Sequence, residues 1–244
     1  MTDYNNLSDL YHFAKKNPVK QYSEAYTFFK ILGNIRDKSV LDLACGDGYY
    51  SRQLKIHGAS HVVGVDIAEK MIARAKKIET EKPYGIDYRV FDVCQSRYIG
   101  QFDIITSVYL FPYARMPKKL AQMCNTMVIN LRPGGKMVSV TLSPFSARAY
   151  IDSQIHYGVE MKPQSNLKDG AVIQITITTP QGIIGFENTF WSRQTYEQIL
   201  FKAGFKSIVW HKPQVSETGI HKYGNTYWQN HIATPGFSVL ACYL

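Results

Sequence analysis

The chain has 244 residues, of which 45% are hydrophobic and 19% are charged, and its formal net charge at pH 7 is +9. This length allows one well-buried α/β domain with little room for a second core, and this composition excludes a wholly disordered chain. The basic residues are scattered in short groups such as Arg115 to Lys119, so the charge does not indicate a nucleic-acid-binding arm. We therefore expect a single domain over residues 1–244.

The four cysteines, Cys45, Cys94, Cys124 and Cys242, form neither a CxxC pair nor a zinc-binding spacing. This pattern is typical of reduced thiols in a cytosolic protein and predicts no metal site. The N-terminal segment MTDYNNLSDLYHF lacks the apolar stretch of a secretory signal, and no apolar run approaches the roughly 18 residues that cross a bilayer. The sequence therefore predicts a soluble, cytoplasmic protein without a membrane partner.

Residues 7–32 carry apolar side chains at helical spacing, and Pro18 interrupts the pattern. The pattern predicts two helices ahead of the first strand, and we treat residues 1–36 as an N-terminal helical lid. Two interpretations of its aromatic stripe stay open, ordinary helix packing and the lining of a substrate pocket. The stripe consists of Tyr11, Phe13, Tyr22, Tyr26, Phe28 and Phe29.

From residue 37 to residue 142, strand patterns alternate with helix patterns. Strands are predicted over 40–44, 61–66, 86–91, 102–108 and 136–142, and helices over 49–57, 68–78 and 118–131. This alternation is typical of a doubly wound parallel sheet, which binds its ligands at the carboxyl ends of the strands. We therefore predict that residues 37–142 form a cofactor-binding core.

The alternation stops after Ser143, and a segment of different character follows. Residues 145–170 are polar and irregular. Two strand patterns, over 171–179 and 183–191, then flank PQG, which predicts an antiparallel hairpin. We interpret residues 143–190 as an insertion into the α/β core that serves as a substrate lid.

The last segment, residues 191–244, completes the core. Its predicted elements are, in order, a helix over 195–203, a strand over 205–211, a long loop, and a strand over 236–243. With these strands the predicted fold is α/β, a doubly wound, mostly parallel, seven-stranded Rossmann-like sheet. The N-terminal helical cap and the inserted antiparallel hairpin are its additions.

The loop GDGYYS follows the first predicted strand, at the position where doubly wound proteins bind a nucleotide-like cofactor. It matches two-thirds of the dinucleotide motif GxGxxG, with Ser51 in place of the third glycine. Asp42 and Asp47 would repel the pyrophosphate of a dinucleotide by roughly 1 to 4 kcal/mol each at about 4 Å. S-adenosylmethionine carries no phosphate, and it presents an ammonium and a sulfonium group instead. The acids therefore favour S-adenosylmethionine over NAD.

Two more carboxylates stand at predicted strand ends. Asp66 ends the second strand, 18 residues beyond Gly48, at the offset typical of an acid that accepts hydrogen bonds from ribose hydroxyls. Asp92 ends the third strand, where it could accept from an adenine amino group. A single carboxylate at such a place is more often a helix cap or a turn residue. Because three successive strands, counting that of Asp42, each end in a carboxylate, the pattern favours a shared ligand.

Five segments, VLDLACGDG, GVDIAEKMIARAKK, YRVFDV, FDIITSVYLF and LRPGGKMV, resemble in order and spacing the successive motifs of class I S-adenosylmethionine-dependent methyltransferases. The resemblance covers about residues 38–142 and implies a methyltransferase with S-adenosylmethionine as its cofactor. One departure is Ala44, which stands where the family has its first loop glycine. The C-terminal segment TYWQNHIATPGFSVLACY loosely resembles the small-molecule branch of the family, including antibiotic and toxoflavin-type methyltransferases.

The resemblance also implies a set of cofactor-binding residues. The methionine part of the cofactor would meet the first acid and the glycine loop, the ribose would meet the second-strand acid, and adenine would meet the third-strand acid and its apolar neighbours. We add one residue of the cap and one at the end of the fourth strand. The complete set is Tyr22, Asp42, Ala44, Gly46, Gly48, Asp66, Ile67, Met71, Asp92, Val93 and Ser107.

Methyl transfer requires alignment, exclusion of water and in some enzymes a base. In this family the segment SVYLFPYA faces the transferable methyl group, so Ser107, Tyr109 and Phe111 are candidates to contact the reacting atoms. Histidine is the natural base near neutral pH, and His156 in the insertion and His221 in the last loop should both reach the strand ends. The predicted catalytic residues are therefore His156, His221 and Tyr109.

The cap, the hairpin and the last loop are rich in aromatic residues and would close an apolar pocket around a small molecule while blocking a polymer. We therefore predict methyl transfer to an oxygen or nitrogen atom of a small aromatic or heterocyclic metabolite, with no nucleic-acid partner. Three alternatives stay open: an RNA or protein methyltransferase, favoured by the charge; a non-catalytic S-adenosylmethionine-binding protein; and, from the fold alone, an NAD-dependent dehydrogenase. We expect Asp42→Asn to weaken cofactor binding without preventing folding.

Overall fold

A computed structural model describes residues 17–145 and 154–244 of the chain. The predicted first helix of the cap, over residues 7–14, lies outside the described residues, as do Tyr11 and Phe13 of the aromatic stripe. Within the two described ranges, none of the helices has the length and apolar character needed to cross a membrane.

The second predicted helix of the cap is confirmed. It begins at Pro18, passes through a π-helical segment, Lys20–Glu24, and continues as helix α1, Ala25–Leu32, which ends before Gly33. Pro18 is tolerated in the first turn because backbone N–H groups there have no partner within the helix. The cap helix therefore starts at the proline and carries its side chains toward the main sheet.

The main sheet has seven strands, numbered along the chain together with three strands of a second sheet. Their bounds are β1 Ser39–Leu43, β2 His61–Asp66, β3 Ile86–Val90, β4 Phe102–Val108, β5 Leu131–Leu142, β9 Ser207–His211 and β10 Phe237–Tyr243. In space their order is β3-β2-β1-β4-β5-β10-β9. Strands β1 to β5 pair with one another in parallel, and β10 is antiparallel to both β5 and β9. This confirms the predicted mostly parallel, doubly wound sheet.

Helices pack on both faces of the main sheet. The next four α-helices after α1 are α2 Tyr49–Ile56, α3 Glu69–Glu81, α4 Pro117–Asn130 and α5 Arg193–Ala203. Successive residues of a strand point to opposite faces, so Val40 of β1 belongs to the buried cluster that contains Phe28 of the cap, while Leu41 belongs to the cluster that contains Met127 of α4. Burial on both faces explains why these strands are continuous apolar runs, and it leaves the strand ends to carry the polar groups.

The second sheet consists of β6 Val159–Pro163, β7 Val172–Thr179 and β8 Gly182–Thr189, paired antiparallel in that order. The hairpin of β7 and β8 is as predicted, but the expectation of an irregular segment over 145–170 is wrong at β6. In this short edge strand, the polar residues Glu160 and Lys162 flank the apolar Met161. So short an alternation of polar and apolar residues forms a strand because β7 provides a pairing partner.

The predicted long loop between the last two strands is also wrong. It contains two helices, α6 Glu217–Tyr223 and α7 Asn225–Ala233. The Ser216 side chain accepts a hydrogen bond from the Gly219 backbone at 3.2 Å and caps α6. Two glycines and two asparagines make this segment look like a loop in sequence, whereas Trp228 and His231, three positions apart, bury one face of α7. The buried face stabilises the helix despite the turn-forming residues.

Candidate cofactor and substrate site

The loop between β1 and α2 is tied to the end of β2. Asp66 accepts a hydrogen bond from the Gly46 backbone at Oδ2 and another from the Ala68 backbone at Oδ1, both at 2.8 Å. Ala44 and Gly46 have positive φ angles of 58° and 57°. The loop is thus held in one shape by the acid at the neighbouring strand end.

The two glycines of the loop have different surroundings. A Cβ atom on Gly46 would meet no atom within 4 Å, whereas a Cβ atom on Gly48 would lie 2.2 Å from the Tyr88 hydroxyl. Gly48 is therefore required for packing against β3. Gly46 faces open space, which leaves room at the loop for a ligand.

Asp42, the acid inside β1, is buried and bonded to neighbouring elements. Its Oδ1 accepts from the Thr106 hydroxyl of β4 at 3.0 Å, and its Oδ2 accepts from the Ser51 hydroxyl of α2 at 2.6 Å. These contacts join β1, β4 and α2 beneath the loop. A structural role for Asp42 is evident, and its predicted contact with the methionine part of a cofactor stays a prediction.

The acid after β3 caps a short helix. Asp92 accepts a hydrogen bond from the Cys94 backbone at 2.8 Å and thereby caps the 3-10 helix Val93–Gln95. Of the predicted adenine neighbours, Val93 and Met71 are buried, while the side chain of Ile67 is 53% exposed at the rim of the loop. Of these three side chains, Ile67 is therefore the one that a ligand at the strand ends can reach most easily.

The carboxylates give the loop a negative potential. Burial raises the pKa of the Cys45 thiol well above its usual value, and the charges of Asp42, Asp66 and Asp47 raise that pKa further. Burial also raises the pKa of Asp66, although its backbone hydrogen bonds oppose the change. A cation is favoured in this field, whereas a pyrophosphate would be repelled.

Sequence patterns missed a second polar centre, built around Glu24 of the cap. Glu24 is 1% exposed, and its carboxylate accepts hydrogen bonds from the hydroxyls of Tyr50 at 2.8 Å and Tyr109 at 2.6 Å. The ammonium group of Lys20 lies 3.3 Å from both carboxylate oxygens. The only available signal was an acid within the apolar stripe of the cap, because its partners come from other parts of the chain.

Tyr109 and Glu24 line a pocket between the cap, the end of β5 and the second sheet. Most of the pocket wall is apolar. Its apolar side chains include Leu142, Met161, Ile175, Ile177, Phe186 and Phe237. Asn17, Gln154 and Asn188 add amide groups to the wall. The arrangement suits a small, largely apolar ligand that makes a few polar contacts.

The predicted catalytic residues are separated in the structure. Tyr109 lines the pocket, but His156 and His221 are exposed and are not part of its wall. The His156 ring packs against Tyr157 and Tyr227, with centroid distances of 5.0 and 5.3 Å. The structure therefore brings one of the three candidates to the pocket and leaves both histidines on the surface.

Three further candidates have partners elsewhere. The Tyr22 hydroxyl accepts a hydrogen bond from Lys222 of α6 at 3.3 Å. The Ser107 hydroxyl donates to Ser139 of β5 at 2.8 Å, within the sheet. Phe111 is fully buried in the core rather than facing the pocket, as expected for the largest apolar side chain in a turn that packs against α5. None of these three residues lines the pocket that Tyr109 enters.

The strand order, with a glycine loop after β1 and an acid at the end of β2, defines the class I methyltransferase fold. Residues 40–135 of the chain match the family model that is described as a methyltransferase domain. S-adenosylmethionine is the cofactor of this class.

Known proteins of two kinds resemble the chain. A ubiquinone biosynthesis O-methyltransferase from Coxiella burnetii is 31% identical over 132 residues, which are 53% of this chain and 55% of that protein. The chain therefore spans about half the length of the curated relatives it matches. An S-adenosylmethionine-dependent methyltransferase from Mesorhizobium loti shares the fold, with a TM-score of 0.64 and 21% identity over 91% of this chain and 97% of that one. The DhpI–SAH complex has a TM-score of 0.61 and 18% identity, over 98% and 92% of the two chains.

Proposed function

We propose that the protein transfers a methyl group from S-adenosylmethionine to an oxygen or nitrogen atom of a small aromatic or heterocyclic molecule. The observation that carries the proposal is the apolar pocket between the cap and the second sheet, with Tyr109 in its wall. Tyr109 directly follows β4, whose parallel neighbour β1 leads into the glycine loop, so cofactor and pocket meet at the same edge of the sheet. A pocket with such walls suits a small acceptor rather than a polymer.

The cofactor side of the site fits a cationic nucleoside. Gly46 faces open space, the carboxylates around Cys45 favour a positive charge, and Asp66 carries a carboxylate whose burial disfavours its charged form. Hydroxyl donors of a ribose would stabilise that carboxylate. We assign the ribose to Asp66, adenine to Ile67 and Asp92, and the methionine part to the loop from Ala44 to Gly48.

When bound, S-adenosylmethionine would supply an activated methyl group whose carbon an oxygen or nitrogen lone pair can attack in line, with S-adenosylhomocysteine as the leaving group. A hydroxyl acceptor must also lose its proton. The Tyr109 hydroxyl donates to Glu24, and a phenolic oxygen can accept at the same time. We assign proton removal to this pair: the acceptor proton passes to the Tyr109 oxygen while the tyrosine proton passes to Glu24.

Two further observations support parts of the proposal. The relatives from Coxiella burnetii are named O-methyltransferases, which supports an oxygen acceptor. The four cysteines carry free thiols, which supports a reducing, cytoplasmic compartment.

A thermal shift titration with S-adenosylhomocysteine, S-adenosylmethionine and NAD tests the cofactor. A ligand that binds only the folded state adds about 2.7 kcal/mol of stability at 100 times its dissociation constant. We expect the first two compounds to stabilise the protein and NAD to have no effect. Stabilisation by NAD alone, or by none of the three, would overturn the proposal.

Methyl transfer from labelled S-adenosylmethionine tests the acceptor. Catechol, resorcinol and hydroquinone serve as small hydroxylated acceptors, and total RNA serves as the polymer. We expect label in the small molecules and none in RNA. Label in RNA alone would show that the surface charge, rather than the pocket, defines the substrate.

A further inference from the structure

One polar side chain interrupts the apolar face of the second sheet. Alternate residues of β8 share a face, so Asn188 lies on the face of Ile184 and Phe186. It pairs across the sheet with Ile173, just as Phe186 pairs with Ile175. A regular apolar face would carry an isoleucine or a leucine at this position.

Among the described residues, none donates a hydrogen bond to the Asn188 amide oxygen that would explain the presence of this side chain. The residue is 3% exposed, and its amide oxygen is buried without a donor. Burial of an unpaired amide oxygen costs free energy that a leucine would not cost. Since Asn188 lines the pocket, a bound molecule can supply the missing donor.

The other amides of the pocket already have partners. Gln154 donates to the Thr234 carbonyl at 3.1 Å, and Asn17 donates to the Tyr157 carbonyl at 2.6 Å. Those two side chains therefore have structural roles in joining the segments around the pocket. Asn188 differs from them because, within the described part of the chain, its buried amide oxygen lacks a donor, and a molecule in the pocket can provide one.

We propose that Asn188 orients the substrate, its amide oxygen accepting a hydrogen bond from a hydroxyl or a ring N–H group. The inference rests on the proposed function. It narrows the substrate class to aromatic molecules with two polar groups. One is the methyl acceptor, which meets Tyr109 and Glu24 on the cap side. The other is a hydrogen-bond donor, which meets Asn188 on the sheet side while the ring lies against Ile175 and Phe186.

The test compares the wild-type protein with Asn188→Leu. Leucine has a similar size and removes the unpaired amide, so we expect the melting temperature of the ligand-free protein to rise by about 2 to 4 °C or to stay unchanged. A residue that held the fold together would show the opposite. A lower melting temperature would therefore overturn the proposal in favour of a structural role.

Binding is then measured in the presence of saturating S-adenosylhomocysteine, with phenol, catechol, resorcinol and hydroquinone as probes. We expect at least one diol to bind the wild-type protein about tenfold more tightly than phenol, as one neutral hydrogen bond would give. Asn188→Leu should abolish this preference while leaving phenol binding unchanged. An equal diol preference in both proteins, or none in the wild type, would overturn the proposal.

Thr189→Val is the matched control. Thr189 follows Asn188 in β8, is equally buried and does not line the pocket, so the diol preference should survive this change. Titration with S-adenosylhomocysteine separates the two proposals. If the cofactor product binds all three proteins but diols show no preference, only the role of Asn188 fails. If it does not bind the wild type, the proposed function fails, and the role of Asn188 fails with it.

Discussion

Carboxylates dominate one side of the candidate site, and apolar side chains dominate the other. On the side of the strand ends, Asp42, Asp66 and Asp92 accept hydrogen bonds from the loops and strands around them. On the side of the cap and the second sheet, the wall is formed mainly by residues such as Ile175 and Phe186. The strand-end side therefore favours a ligand group of opposite charge, and the pocket side favours a ligand whose shape fits the apolar wall.

Because of this difference, the two sides of the site should contribute differently to cofactor binding and to substrate binding. At the strand ends, Asp66 and Asp92 are held by backbone N–H groups and Asp42 by the hydroxyls of Thr106 and Ser51, so these acids are fixed in place before any ligand arrives. The pocket side is assembled from segments far apart in the chain, and it carries few polar groups, among them Glu24, Tyr109 and Asn188. Changes on the first side should therefore alter cofactor affinity, and changes on the second should alter turnover and substrate choice.

The largest effect is expected at the Glu24–Tyr109 pair, on the pocket side. Tyr109→Phe removes the hydroxyl that donates to Glu24 at 2.6 Å, and kcat for a hydroxyl acceptor should fall about 100-fold, the scale of general base catalysis. Tyr50→Phe is the control, since Tyr50 also donates to Glu24 but does not line the pocket. Equal turnover of both variants and the wild type would exclude the proton path, whereas the affinity for S-adenosylhomocysteine should be unchanged in each.

The stability of the pocket side should depend on His231. Its Nε2 atom bonds to the Ser23 hydroxyl at 2.8 Å and joins α7 to the cap, and burial lowers the pKa of His231 to about 4. In the unfolded chain the side chain takes up a proton near pH 6.5, so stability is fully present above that pH. It should decline by about 3 kcal/mol as the pH falls from 6.5 to 4.

Chemical denaturation across this pH range measures the effect of His231. His231→Gln removes the titrating group, and its unfolding free energy should fall about 3 kcal/mol less than that of the wild type between pH 6.5 and 4. Ser23→Ala removes the partner and keeps the histidine, so it should retain the steep dependence. Parallel curves for wild type and His231→Gln would mean that carboxylates alone cause the loss.

Asp66 provides the corresponding test on the cofactor side. Asp66→Ala should weaken S-adenosylhomocysteine binding by about 1 to 3 kcal/mol, because charge-assisted hydrogen bonds to the ribose are lost. Burial raises the pKa of Asp66, and ribose donors favour its charged form, so the affinity of the wild type should also fall as the pH drops through that raised pKa. Calorimetry measures both, and unchanged affinity in Asp66→Ala would refute the ribose assignment.

The two sides of the site also differ in how far sequence could reveal them. The alternation of strands and the loop motif locate Asp42, Asp66 and Asp92 because each lies within its own strand or no more than two residues after it. The bond between Tyr109 and Glu24 spans 85 residues, and local spacing carries no trace of it. For the same reason sequence patterns favoured His156 as a base, since they could not show that it lies on the surface.

The smallest effects are expected in the loop itself, where Ala44 and Gly46 share the same left-handed backbone conformation. Ala44→Gly should raise the free energy of unfolding by less than about 1 kcal/mol, because relief of left-handed strain is partly offset by the greater freedom of glycine in the unfolded chain. Gly46→Ala should lower it by about 1 kcal/mol for the opposite reason. Only Gly46→Ala should also weaken S-adenosylhomocysteine binding, because its methyl group enters the open space at the loop. Denaturation of the two variants measures the backbone strain, and calorimetry measures whether the cofactor occupies the space beside Gly46. Equal affinity of both variants for S-adenosylhomocysteine would mean that the cofactor does not approach Gly46. The carboxylates at the strand ends would then have to account for cofactor binding without the loop.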